Sequence, residues 1–331
     1  MLIDSNVQSQ TIDAGSLSTK ISAPIIVEIS SEEQEQGLLS PVSLTTATAA
    51  IERDGYVILN NAVSHDSIDR LRHKMSEDAQ YLIDRGRWNT VGNVIGHLNQ
   101  APPPFAPYVF SDILCNVFAA QVTQSMLGTG RFNRFYRCNT NIPGSGMQPL
   151  HWDGTEKALI VNVGLEDITE ANGSIELWPG THQLENFVES MGTVESEPID
   201  NAISETIREA RRQAIPPIRG NTKKGSILIR HEEVWHRGMP NLSTEPRYMI
   251  AMMHYHFGTS IGDSMCFHSN CESIFADRTL YPNLQFTTET IDYLGTKKSL
   301  SQHLRDMAYR FAPDVYSKLT NVRKFYKGLR Y

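Results

Sequence analysis

The sequence predicts a mainly β protein with flanking helices, its core an antiparallel sheet sandwich of the jelly-roll (double-stranded β-helix) kind used by cupins. Two observations carry this. Two helical stretches come early, and beyond residue 130 the chain turns to short β-type runs separated by turn residues. Neither alternating β and α units nor a Gly-x-Gly-x-x-Gly or Walker-type loop is present, so a nucleotide-binding parallel sheet is not indicated.

Residues 1–40 are rich in Ser, Gln and Glu without a sustained period, most clearly at Ser30-Ser31-Glu32-Glu33-Gln34-Glu35-Gln36, and read as a flexible or loosely attached arm. A single domain is expected over 41–331. It starts with a short helix over 43–53, followed by the β-rich Gly55-Tyr56-Val57-Ile58-Leu59 ending at Asn60-Asn61. After Asp66, the spacing of Ile68, Leu71, Met75, Ala79, Leu82 and Ile83 puts one apolar face on a long helix. Residues 86–110, with Pro102-Pro103-Pro104, are expected to form a loop, and a second helix should cover 111–127 and stop at Gly128. Strands follow at 131–137, 158–163, 174–178, 226–230 and 247–256. A lid-like insertion over 183–224 carries one helix, 203–214, and helices return at 299–311 and 314–320.

The chain has 331 residues, 40% of them hydrophobic, and a formal net charge of −7. That balance argues against nucleic acid or an anionic membrane as the main partner. No apolar run approaches the roughly 20 residues a bilayer span needs. No basic segment followed by an apolar core opens the sequence and no Ser-Lys-Leu closes it, so the expected compartment is the cytosol. The four cysteines, Cys115, Cys138, Cys266 and Cys271, form no Cys-x-x-Cys pair and read as reduced thiols.

The most informative feature is His151-Trp152-Asp153, followed far downstream by His236 and then Arg247. Positions i and i+2 of a strand share a face, so His151 and Asp153 can reach one ion. Asp153-Gly154 is a turn signal that puts the pair at a strand end, and only tertiary folding can add His236. Two histidines and a carboxylate suit one face of an octahedral iron(II), leaving positions for a chelating cosubstrate and dioxygen. His-x-Asp alone is common, however, and with 11 histidines in the chain some such spacing is expected by chance.

Three other histidine groupings compete with this one. His231-Glu232-Glu233-Val234-Trp235-His236 looks like the zincin motif His-Glu-x-x-His with one residue too many, which on a helix turns the imidazoles about 140° apart and on a strand sends them to opposite faces. Glu232 and Glu233 then read as solvated turn residues. His254 and His256 share a face of the strand expected at 247–256 but lack a nearby carboxylate. His97 and His182 read as loop histidines held by solvent or backbone.

The flanking residues raise the odds. The segment Asn141-Ile142-Pro143-Gly144-Ser145-Gly146-Met147-Gln148-Pro149-Leu150-His151-Trp152-Asp153 resembles the phytanoyl-CoA dioxygenase family, with its Pro-Gly-Ser turn, a Gln three residues before the ligand histidine, and His-x-Asp. Asn172-Gly173-Ser174-Ile175-Glu176-Leu177-Trp178-Pro179-Gly180-Thr181-His182 is similar to its Asn-Gly…Pro-Gly-Ser/Thr-His block. Gly225-Ser226-Ile227-Leu228-Ile229 with His236, Asn241 and Arg247 is similar to its closing strand, turn and strand. The resemblance covers about residues 50–260.

That resemblance implies a double-stranded β-helix core, iron(II), and 2-oxoglutarate and O₂ as cosubstrates. It implies His151, Asp153 and His236 as iron ligands, Arg247 on the C5 carboxylate of 2-oxoglutarate and Gln148 against the cosubstrate. A guanidinium fork suits that carboxylate, although an isolated strand arginine is more often a surface residue. Ile175 stands where many tailoring members have Thr, which puts a hydroxyl contact there in doubt; the retained Asp153 disfavours halogenation. Pro143-Gly144 and Pro179-Gly180 read as turn formers and Trp152 as packing.

The expected reaction oxidises a small, apolar metabolite by hydroxylation, or by desaturation or rearrangement if rebound is prevented, with release of succinate and CO₂. The loops 86–110 and 183–224 are the expected substrate contacts. Lys223-Lys224 and Arg211-Arg212 are too scattered to clamp a coenzyme A phosphate. A homodimer is a family-level expectation only. The rival readings are a jelly-roll metabolite-binding protein without turnover and, third, a zinc hydrolase.

Overall fold

The computed structural model describes residues 23–85, 94–183, 205–260, 264–275, 280–281 and 283–295. In chain order these begin with β1 (Ile26–Glu28), α1 (Ser31–Gln36), α2 (Pro41–Asp54), β2 (Tyr56–Asn60) and α3 (His65–Asp84). Then come β3 (His97–Gln100), α4 (Ser111–Leu114), α5 (Val117–Leu127), β4 (Phe132–Asn141), β5 (Ala158–Gly164) and β6 (Ile175–Leu177). They end with α6 (Glu205–Ala214), β7 (Ile218–Gly220), β8 (Ile227–His231), β9 (His236–Arg237), β10 (Arg247–Tyr255), β11 (Met265–His268) and β12 (Leu284–Thr287).

Seven strands form one sheet in the order β1-β2-β8-β5-β10-β4-β3, and β7-β6-β9 form a smaller one. An antiparallel bridge from His151 to His236 extends the small sheet by one more stretch of chain. From β4 to β10 the chain therefore visits large sheet, small sheet (His151), large (β5), small (β6, β7), large (β8), small (β9) and large (β10). That wrapping between two layers is the double-stranded β-helix expected from the sequence.

The two faces of the large sheet differ. Val57, Leu59, Tyr136, Cys138, Val161, Val163, Ile227, Ile229, Tyr248, Ile250 and Met252 join Ile51, Leu71, Met75 and Val122 of the helices in the main apolar core. Leu228 and Ile58, one residue out of phase, pack instead with Ile175 and Leu177 of the small sheet. The alternation of strand side chains thus sends one set of residues to the helices and the other into the space between the sheets.

Several local expectations change. The segment read as a loose arm over residues 1–40 holds β1 and, over Ser31–Gln36, a capped helix: β1 pairs in parallel with β2, and Ser30 and Glu33 form a reciprocal capping box. Hydrogen bonds from Ser30, Ser43 and Ser40 hold the Glu33 carboxyl down at about 2. A short polar helix with no period of its own is here stabilised by its cap and by sheet pairing. The helix expected at 111–127 is two, because the Asn116 side chain accepts from the Phe118 and Ala119 amides and starts α5 afresh. Within the expected loop 86–110, β3 pairs with β4 at the sheet edge. Residues 1–22, 86–93, 184–204 and the helices expected at 299–311 and 314–320 lie outside the described residues.

Candidate active site

Two neighbouring stretches of the small sheet bring the predicted triad together. The His151 amide donates to the His236 carbonyl at 3.0 Å, the His236 amide returns the bond at 2.8 Å, and the Asp153 amide donates to the Glu232 carbonyl at 2.9 Å. Thr181 pins the approach to His236 by accepting from the Trp235 amide at 2.9 Å. Leu150, Trp178 and Trp235 pack behind it, with Trp152 against them, which is the packing role expected of Trp152.

The donor atoms are set for metal ligation. His151 Nδ1 lies 2.7 Å from the Pro149 carbonyl and His236 Nδ1 lies 2.9 Å from the Val234 carbonyl. Both contacts fix the tautomer with the proton on Nδ1, leaving the Nε2 lone pairs free. Those Nε2 atoms lie 3.9 Å and 3.6 Å from Asp153 Oδ1. Ligand atoms of His151, Asp153 and His236 all fall within 4.8 Å of one another, and theirs is the group of this kind found among the described residues.

Electrostatics suit a cation at this point. Burial lowers the His236 pKa to about 3, reinforced by the Arg230 guanidinium, so the ring is neutral at physiological pH. Burial would raise the Asp153 carboxyl, but Arg230 and the two imidazoles outweigh it and hold the group well below the ordinary range. Arg230 itself is buried and donates through Nη2 to Asp153 Oδ2 at 2.5 Å, leaving Oδ1 to face the imidazoles. Sequence reasoning missed Arg230; the available signal was a charged residue closing the apolar run Ile227-Leu228-Ile229.

Glu232 is a correction. Read as a solvated turn residue, it is buried, and its Oε1 accepts from the Ala158 amide at 2.9 Å at the start of β5. Burial pushes its carboxyl up to about 7. Glu233 is half-buried. His231 leaves the triad altogether and packs against His182, with ring centroids 5.3 Å apart. The zincin-like pairing of His231 with His236 is not formed.

Arg247 opens β10 and is 2% exposed. Its Nη1 donates to the Asn139 carbonyl at 3.1 Å and its Nη2 to the Gly173 carbonyl at 3.2 Å, while Nε has no partner among the described residues. Gly173 has φ +84°, and a Cβ there would lie 2.5 Å from Asn141 Nδ2 and 2.7 Å from the Met239 carbonyl, so the position admits only glycine. Burial lowers the Arg247 pKa to about 10, with Glu166 opposing, and the guanidinium stays charged at neutral pH. A buried, fixed cation with no ion pair among the described residues is a ready seat for a carboxylate.

Gln148 Oε1 accepts from the Gly238 amide at 2.7 Å, which ties it to the strand that carries His236. A Cβ on Gly238 would lie 2.5 Å from that oxygen and 2.8 Å from His97 Cε1. His97 is fully buried, with Nε2 2.7 Å from the Gly146 carbonyl, as a backbone-held histidine should be, but it also lies close enough to Arg247 for the guanidinium to help lower its pKa. Its place beside Gln148 was not legible because the pairing of β3 with β4 was not. His182 Nε2 meets the Glu52 carbonyl at 3.1 Å. His254 is buried with Nδ1 2.9 Å from Thr123 Oγ1, whereas His256 is exposed, so the two form no metal pair.

Comparison with known proteins fixes the family. The profile of Phytanoyl-CoA dioxygenase (PhyH) matches residues 51–249. The chain belongs to the phytanoyl-CoA dioxygenase family. It is an iron(II)/2-oxoglutarate-dependent oxygenase, with O₂ as the second cosubstrate. Among its relatives is Dioxygenase aneA of Aspergillus aculeatus, 23% identical over an alignment of 239 residues that covers 65% of this chain and 77% of the relative. Similar solved structures include AviO1 from Streptomyces viridochromogenes Tue57, at 16% identity and TM-score 0.47, covering 67% of this chain and 98% of that one. Another is the epimerase SnoN in complex with Fe³⁺, alpha ketoglutarate and nogalamycin RO, at 15% identity and TM-score 0.49, covering 66% and 85%. No described helix of this family member is long and apolar enough to cross a membrane.

Proposed function

We propose that this PhyH-family oxygenase hydroxylates a small, largely apolar metabolite in natural-product biosynthesis. His151, Asp153 and His236 hold the iron, and Arg247 and Gln148 seat 2-oxoglutarate. The observation that carries the reading is the convergence of two tautomer-fixed Nε2 atoms on one oxygen of Asp153, beside a buried arginine that has no ion pair among the described residues. This donor set fits iron(II): three ligands on one side leave the other side open.

Iron(II) with bound 2-oxoglutarate supplies the oxidising power, so that substrate, O₂ and 2-oxoglutarate become hydroxylated product, succinate and CO₂. The chain's own part is to bind and orient. The Pro149 and Val234 carbonyls hold the imidazole protons on Nδ1, and Arg230 holds one Asp153 oxygen so that the other is presented. The Arg247 guanidinium fixes one end of the diacid by charge-assisted bonds, and the Gln148 amide orients it from the β9 side.

Anaerobic addition of iron(II) and 2-oxoglutarate should give a visible metal-to-ligand charge-transfer band. That band should vanish in His236→Ala. In Arg247→Ala it should persist only at much higher 2-oxoglutarate, an affinity loss of about a hundredfold for truncating a buried charged partner. A wild-type protein that binds both additives without the band overturns the reading.

A further inference from the structure

A histidine that the iron and 2-oxoglutarate arrangement does not use stands in line with Arg247. His97 of β3 is in register with Asn141 of β4, and Asn141 with Arg247 of β10. In-register residues of antiparallel strands share a face. Cys138 and Tyr248, out of phase with this row, lie in the helix-side core, so the row points between the sheets. His97 and Arg247 are rooted about 10 Å apart with one strand between them. Their side chains converge over that strand. The guanidinium reaches the Asn139 carbonyl, and the ring comes close enough to the Asn139 side chain for it to favour a charged imidazole.

The hydrogen bonds of the ring are half made. Nε2 lies 2.7 Å from the Gly146 carbonyl, which can only accept, so the neutral ring keeps its proton on Nε2 and a lone pair on Nδ1. Nδ1 is buried and makes no hydrogen bond among the described residues, and the same holds for Asn139 Oδ1. Two buried acceptors thus lie near one another without a donor, an arrangement that is costly to leave. A proton on Nδ1 would supply the donor. Burial, helped by the Arg247 charge, keeps that proton off. Arg247 is the charged group that acts on the ring among the described residues. The other elements against it are uncharged there: β4 offers Asn139 and Asn141, the stretch before His151 offers Gly146 and Gln148, and the end of β9 is followed by Gly238. A carboxylate seated on Arg247 reverses the balance, since it cancels the repulsion and adds an attraction of its own.

We propose that His97 is a second cationic seat for the far carboxylate of 2-oxoglutarate: neutral before the diacid binds, it takes a proton from solvent onto Nδ1 as the diacid settles on Arg247. This rests on the oxygenase reading above and adds a residue that selects a dicarboxylate over a monocarboxylate. Gly238 makes the room. A Cβ there would meet His97 Cε1 at 2.8 Å and Gln148 Oε1 at 2.5 Å, so the ring and the amide pack side by side only over a glycine.

The test compares 2-oxoglutarate with pyruvate, which offers iron the same keto acid but no far carboxylate, on anaerobic enzyme holding iron(II). The bound state holds the extra proton, so 2-oxoglutarate affinity should rise as pH falls from about 8 to about 6, by at most about tenfold per pH unit, while pyruvate affinity stays flat. Calorimetry near neutral pH in PIPES and in Tris should show proton uptake with 2-oxoglutarate in excess of that with pyruvate. His97→Gln keeps an amide for the Gly146 carbonyl. It should abolish the pH dependence and weaken 2-oxoglutarate by about tenfold, the scale of one charge-assisted contact, with pyruvate affinity unchanged. Three results overturn the proposal: the two acids share one pH profile in the wild type, His97→Gln retains the difference between them, or it weakens both alike. The wild-type profiles decide by themselves if His97→Gln does not fold. A missing charge-transfer band with either acid refutes the oxygenase reading and this proposal with it, whereas a normal band with matching profiles refutes this proposal alone.

Discussion

The two faces of the large sheet are built from the same strands and differ by one residue in phase. Toward the helices, Val161, Ile229, Tyr248, Ile250 and Met252 make a dry, continuous core. Toward the small sheet, the same strands present Asn162, Arg230, Arg247 and Asn139, the first three of them buried. One face stabilises the fold by burying apolar surface; the other holds charges that burial alone would disfavour and that are tolerated because carbonyls, Asp153 or an arriving anion meet them. A chain that must keep a reactive centre rigid can thus place scaffold and chemistry 180° apart on one strand.

The sharpest way to break this division is to cut the scaffold face alone. Ile250→Ala should cost about 2–5 kcal/mol of stability, as buried aliphatic truncations do, while the protein that remains folded keeps its charge-transfer band. Denaturant unfolding against band intensity per folded molecule separates the two; loss of the band at unchanged stability would show that the faces are not independent.

Cutting the other face should reverse the pattern. Arg230→Met frees the second oxygen of Asp153 and should weaken iron binding by about 10- to 100-fold, the usual cost of losing a group that orients a ligand, with a far smaller change in thermal midpoint. Chelator competition measures it, and wild-type affinity would remove Arg230 from the site.

Acid sharpens the comparison further, because each face carries a depressed histidine. Burial brings His236 in the site and His254 on the helix side both to about 3, and His231 to about 4. Folded, these imidazoles bind fewer protons than in the unfolded chain, so they contribute stability above the ordinary histidine range that is lost as pH falls toward their folded values. Metal-free protein should therefore melt lower at pH 5 than at pH 7. His254→Gln should flatten that dependence in the iron-loaded enzyme, where iron on the proposed ligand His236 would hold its ring neutral. A pH-independent midpoint in the metal-free protein contradicts the argument.

The smallest effect concerns neither face. Ser30→Ala removes the capping box of α1 and should cost about 1 kcal/mol, with no change in iron or 2-oxoglutarate binding.

How much of this was legible follows the range of the interactions. The positions of β4, β5, β6, β8 and β10 could be read because β-branched and aromatic runs between turn residues are a local signal, whereas the short β7 and β9 carry too few residues to give one. The triad and Arg247 could be read because His151 and Asp153 share a strand face and the blocks around them match a known pattern. α1 was misread because capping and pairing with β2, not periodicity, hold it. Glu232 was misread because its partner, the Ala158 amide, is 74 residues away.

By itself, then, the sequence determined the alternation along each strand, the turns that end them, and which side chains could bind iron and a diacid. Tertiary structure decided which of the two phases each strand turned inward, and so brought Arg230 to Asp153 and the Ala158 amide to Glu232. The reason is physical: alternation is written within a few residues, whereas the partner of a buried charge is set by register between strands far apart in the chain.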